Sequence, residues 1–127
     1  MNSKELLQWQ YASYEKFHRS RVNLLIHIVA VPLVVISSVA LTIALFRLAW
    51  LSLAINSALI GVFMALQGLG HARETHPPEP FTGATNAISR IFLEQWITFP
   101  RFVLSGGWWR ALQRSQTTVP SNPQIRS

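Results

Sequence analysis

Four histidines are the residues of this chain best suited to hold a metal ion: His18, His27, His71 and His76. Imidazole is a good ligand for iron, zinc and copper. The chain has no cysteine, so disulfides and thiolate sites are excluded. Any ion must be held by histidine, glutamate, backbone or water. Two long uncharged stretches separate the histidines into pairs, and folding those stretches against each other brings the pairs to one end.

The spacing supports that meeting. Taking Arg47 as the turn, His27 lies twenty residues before it and Gln67 twenty after. In antiparallel helices these positions share a depth. Asn23 and His71 are each four residues further out, about 6 Å along the axis at ~1.5 Å per residue. Asn23/His27 and Gln67/His71 are therefore both i,i+4 pairs, each on one face of its helix. Asn23 and Gln67 could orient the imidazoles by hydrogen bonding their second nitrogens. His18 is nine residues before His27, on the opposite face of a straight helix, and joins the cluster only if the chain bends near Arg19 to Arg21 or if the first span starts there. Glu74 follows His71 by three residues. His76 stands beside prolines on a loop and competes with Glu74 for a fourth position.

The elements that must position these residues are membrane-like. The 127 residues are 50% hydrophobic and 13% charged, against roughly 25% charged in a typical soluble domain. Mean hydropathy is positive. Val22 to Phe46 and Leu48 to Gly70 carry no charge and run 25 and 23 residues; about 20 suffice to cross a bilayer. The expected fold is an all-α integral membrane protein: a transmembrane helical hairpin in a single domain over residues 1–114. The alternative is a pair of buried helices in a soluble bundle. The net charge of +6 fits an anionic membrane surface better than nucleic acid, given the apolar runs. Lys4, Lys16, Arg19 and Arg21 precede the first span and Arg73, Arg90, Arg101, Arg110 and Arg114 follow the second. By the positive-inside rule both termini face the cytoplasm, in an inner membrane if bacterial or the endoplasmic reticulum if eukaryotic. The start is too polar for a signal peptide.

Ser3 to Phe17 reads as an amphipathic helix with a broad aromatic stripe, Ser3 capping its start. After His71, THPPEPFTG is a loop. Thr85 to Leu104 is helix-like, but Arg90, Glu94 and Arg101 make it a poor span, and an interfacial or re-entrant helix fits better. Pro100 should kink or break it. Glu94 and Arg101 read as a surface or interhelical pair. Trp108 and Trp109 read as an interfacial anchor after the turn at Ser105 to Gly107. Residues 115–127 read as a disordered tail.

Two runs resemble the signatures of a family of small membrane proteins. YEKFHRSRVNLLIHIVAVPL, from Tyr14 to Leu33, is similar to a first signature of Tyr, His, Asn five further on, His four beyond, then Pro-Leu. QGLGH, from Gln67 to His71, resembles the second, followed by a glutamate and a proline-rich turn. The family is that of the 2-hydroxy fatty acid dioxygenases of fatty acid alpha-oxidation, and the resemblance covers about residues 5 to 112. It implies an Fe(II)-dependent, membrane-embedded dioxygenase that uses O2 to shorten a 2-hydroxy fatty acid by one carbon, without 2-oxoglutarate. It carries the family's histidines onto His18, His27 and His71, with Asn23 and Gln67 beside them. The family commonly has glutamate four residues after the Gly-His histidine, where this chain has Thr75, with Glu74 one earlier. His76 and EQWITFPRFVLSGGWW resemble a bacterial branch.

On that reading the metal ligands are His18, His27 and His71, with His76 or Glu74 completing the shell. Arg19, Arg21 or Arg73 would attract the carboxylate, and the acyl tail would lie along the apolar hairpin. The residues alone leave other readings open. The histidines could simply hydrogen bond across helices in a non-catalytic membrane protein. Two on facing helices could ligate haem. Zinc hydrolysis fits the ligand types.

Overall fold

The computed structural model describes residues 1–115, and all regular secondary structure within them is helical. The tail read as disordered lies, apart from Ser115, outside the described residues. Six α-helices follow in chain order: α1 (Ser3–Ser13), α2 (Arg21–Phe46), α3 (Trp50–His71), α4 (Ala84–Leu93), α5 (Phe99–Leu104) and α6 (Gly107–Ser115).

The N-terminal helix is capped one residue earlier than expected. Asn2, not Ser3, accepts from the Glu5 backbone N–H at 2.9 Å, and the Glu5 carboxylate accepts from Asn2 N–H at 3.1 Å. This reciprocal box satisfies two N–H groups at a helix start that have no helical partner. The helix also ends earlier than Phe17. A 3-10 turn spans Glu15–Phe17, His18 sits at φ −132°, ψ 62°, and Ser20 is extended and caps α2 through the Asn23 N–H. This is the bend near Arg19 to Arg21 that His18 requires.

Helices α2 and α3 are joined by Arg47–Ala49, with Leu48 at φ 52°. They pack on each other, and Gly70 near the end of α3 lies against Asn23 near the start of α2. Both are long and apolar enough to cross a membrane. Only 28% and 11% of their most apolar windows is buried, and Val29, Ile36, Leu51, Val62 and Leu69 point outward and exposed. A core helix of a soluble bundle would hide such faces. Pro32 lies within α2 without breaking it.

The C-terminal segment runs through Pro100 rather than breaking there. Between α4 and α5, residues Glu94–Thr98 form a π-turn, and the Phe99 N–H bonds the Glu94 carbonyl. Proline has no N–H to give the preceding turn, and a wider i→i−5 turn absorbs the mismatch. Helix α6 then folds back onto the start of α2. Trp108 is half-buried, and its indole N–H donates to the Leu24 carbonyl at 2.9 Å. Trp109 stays exposed, so only one of the two expected anchor residues faces outward. Tyr14, Leu24, Val31, Phe99, Phe102, Ala111 and Leu112 form the buried core. The core thus sits at the His18 end of α2, where the α1, α5 and α6 segments converge.

Candidate metal centre

His27 projects from α2 and is fully buried. Its Nδ1 lies 2.9 Å from the Asn23 carbonyl one turn back. A carbonyl only accepts, so Nδ1 carries the proton and Nε2 keeps its lone pair. His18 repeats the arrangement from the bend, with Nδ1 2.8 Å from the Tyr14 carbonyl. His71 reaches in from the last turn of α3. The three rings form a nearly equilateral triangle, with centroids 4.8, 4.8 and 5.0 Å apart. His18 Nε2, His27 Nε2 and His71 Nδ1 are all buried without a hydrogen-bond partner. Buried polar atoms are seldom left so without a reason.

The fourth member is Glu94, which opens the π-turn. Its Oε1 lies 3.6 Å from His18 Nε2 and 3.5 Å from His27 Nε2. Those distances are long for hydrogen bonds. They suit two ligands of one ion: with metal–ligand bonds of about 2.0–2.2 Å, neighbouring ligand atoms stand roughly 3–3.5 Å apart. One ligand atom from each of His18, His27, His71 and Glu94 lies within 4.8 Å of the others, a group that could hold a metal ion. Burial pushes the Glu94 carboxyl up, but the facing His18 and His27, when they carry a proton on Nε2 in place of an ion, outweigh it and hold it well below the usual carboxylate range. Tyr14 donates its hydroxyl to the same Oε1 at 3.0 Å. Burial first, and the Glu94 carboxylate second, push the Tyr14 phenol well above its ordinary value.

The other residues expected at the site take different places. His76 is exposed on the loop, lining a cleft with Arg19, Arg21, Arg73 and Glu74. Glu74 is occupied elsewhere: its carboxylate accepts from the Arg19 and Ser20 backbone N–H groups at 3.1 and 2.9 Å and from Asn23 Nδ2 at 2.8 Å. It therefore clamps the start of α2 to the end of α3, where the positive helix terminus favours a carboxylate. Asn23 supports His27 through its backbone carbonyl, while its side chain bonds Glu74 and the Phe17 carbonyl. Gln67 makes no hydrogen bond to an imidazole among the described residues. It pairs with Gln95 through two amide bonds of 3.0 and 2.7 Å. Thr98 in turn donates to Gln10 at 2.6 Å, and Gln10 donates to the Arg90 carbonyl at 2.8 Å. These buried amide and hydroxyl bonds hold the π-turn, and with it Glu94, against α1 and α3.

Glu94 is the member that sequence reasoning missed, having been read as a surface or interhelical pair with Arg101. Arg101 instead lies over the Tyr11 ring at 3.8 Å. A signal was present: Glu94, Gln95 and Thr98 are polar within an otherwise apolar run. No family model, curated protein or solved structure matches the chain.

Proposed function

We propose that this protein is an Fe(II)-dependent membrane dioxygenase that shortens 2-hydroxy fatty acids by one carbon. The observation that carries the reading is the convergence of three histidines and one carboxylate at the end of two membrane-length helices. An all-nitrogen and oxygen ligand set suits non-haem iron. The orphaned ring nitrogens fit an ion, and a haem between any two rings would run through the third. The two sequence signatures resembling the 2-hydroxy fatty acid dioxygenases supply the substrate class.

A six-coordinate ion held by four side chains keeps two positions open. A 2-hydroxy acid offers two oxygens, hydroxyl and carboxylate. Iron supplies the one-electron chemistry that lets O2 react with such an acid. The stoichiometry closes without another reductant: the hydroxy acid plus O2 gives the acid one carbon shorter, CO2 and water. Four electrons leave the two terminal carbons and reduce O2.

The surroundings suit an amphipathic acid. On the face of α2 turned away from His27, Val22, Leu25, Ile26 and Val29 line an apolar groove of about 380 Å³ with Phe63 and Leu66. Arg19, Arg21 and Arg73 line the cleft at the same end and would draw the carboxylate to the surface. His71 and Glu94 are the half-buried members of the cluster. By the positive-inside rule, the excess of Lys and Arg at this end supports a cytoplasmic orientation for both termini and the cluster.

The test is detergent-purified protein loaded anaerobically with Fe(II), then given O2 and 2-hydroxy fatty acids of several chain lengths. The expected result is O2 uptake matched by equal CO2 and by the shortened acid. Stoichiometric iron with no uptake on any chain length would leave a structural metal site instead.

A further inference from the structure

We propose that Tyr14 is the positioning residue that aims two of the four ligands, His18 and Glu94, at one ion; the proposal rests on the metal reading of the cluster. Three separate groups of this one residue make the contacts. The ring stacks face to face on His18, with centroids 3.8 Å apart and planes 12° apart. The backbone carbonyl accepts from His18 Nδ1 at 2.8 Å. The hydroxyl donates to Glu94 Oε1 at 3.0 Å.

Each contact removes one freedom from a ligand. The carbonyl fixes the His18 tautomer, so that Nε2 is the nitrogen left to coordinate. The stack fixes the rotation of the ring. The hydroxyl takes one acceptor site of Oε1 and leaves the other toward His18 and His27. Glu94 Oε1 is thus chosen as the ligating oxygen.

Tyr14 is itself held firmly. It is 3% exposed and packs on Phe102 edge to face at 4.9 Å and on Phe99 at 6.3 Å. Its position explains its reach: it stands four residues before His18, where α1 gives way to the 3-10 turn. From there its backbone serves one ligand and its side chain crosses to another eighty residues away. His27 is held by two residues rather than one: its Nδ1 rests on the Asn23 carbonyl of its own helix, and its ring lies 5.9 Å from that of Phe99. Tyr11, the only other tyrosine, faces Arg101 instead.

The experiment uses Co(II) alone as a probe, titrated into the detergent-purified full chain and followed by its ligand-field absorption. Tyr14→Phe keeps the ring and the carbonyl and removes only the hydroxyl. It should weaken Co(II) binding by about 10–100-fold, the usual loss for an outer-shell partner, and shift the absorption band. Unchanged affinity and band in Tyr14→Phe would overturn the proposal. A purely structural role would lower the thermal midpoint and leave the band of the loaded protein in place. The wild type supplies a second readout that needs no variant. With ¹³C-labelled tyrosine, Co(II) should shift and broaden the Tyr14 resonances far more than those of Tyr11, and equal effects would overturn the proposal too. A wild type that takes up no Co(II) would sink the metal reading, and this proposal with it.

Discussion

Glu94 Oε1 stands 3.5 Å from His27 Nε2 and 3.6 Å from His18 Nε2, although Glu94 and His27 belong to segments separated by the whole of α3 and the proline-rich loop. The carboxylate therefore belongs to the histidine cluster, and the exposed His76 does not. Glu94→Gln keeps the shape of the side chain but removes its charge. It is expected to lose at least about 10-fold in metal affinity, since changes even outside the ligand shell cost that much. His76→Ala should leave metal content unchanged and stability within about 0.5 kcal/mol. Metal analysis of the two variants side by side checks both. Equal loss in His76→Ala would return that residue to the site.

The meeting of His27 and His71 was legible because it needs only arithmetic: two uncharged runs, a turn at Arg47 and i,i+4 spacing place them at one end. His18 joined them in the sequence only through the resemblance, because spacing alone puts it on the opposite face and the bend before Arg21 is not reported by periodicity. Glu94 was not legible for two reasons. It lies beyond a proline-rich loop whose path no periodicity reports. It also sits in a segment where Pro100 argues for a break, and a π-turn changes the facing of residues without changing their composition. Gln67 shows the limit of depth alone. Its level relative to His27 was readable, but its partner Gln95 comes from an element whose docking was not.

The Gln67–Gln95 pair has a distinctive energetic signature. Each amide satisfies the other in a buried place. Gln67→Leu or Gln95→Leu alone strands a buried amide, at about 1–3 kcal/mol, whereas replacing both removes the need for a partner. The double variant should therefore be more stable than either single one, read as the thermal midpoint in detergent. Simple addition of the two losses would show that the amides are not coupled.

Gly70 lies against Asn23 where α3 packs on the start of α2. A Cβ there would collide with the Asn23 Oδ1 and would lie 3.2 Å from its Cγ and 3.3 Å from its Cα. The Asn23 backbone cannot retreat without moving His27, and its amide cannot swing without releasing Glu74. Gly70→Ala should cost about 1–3 kcal/mol as an overpacked contact and weaken metal binding as His71 is pushed away. Gly61→Ala is the control, for that Cβ meets nothing within 4 Å. A Gly70→Ala protein as stable as the Gly61→Ala one would mean that the two helices do not meet there.

Tyr14 makes the protein sensitive to alkali in a direction that can be worked out. The unfolded phenol ionises near its ordinary value of about 10. In the folded chain, burial and then the Glu94 carboxylate hold the phenol well above that value. Above pH 10 the unfolded state therefore loses a proton that the native state keeps, and stability falls as pH rises. The contribution is fully present below pH 10 and is lost as pH climbs toward the raised folded value. In the wild type the 295 nm phenolate absorbance of Tyr14 should appear only together with loss of helical circular dichroism. Tyr14→Phe removes the ionisation and should flatten the alkaline side of the stability profile. A Tyr14 phenolate forming near pH 10 with the helices intact would show that its hydroxyl is not buried against Glu94.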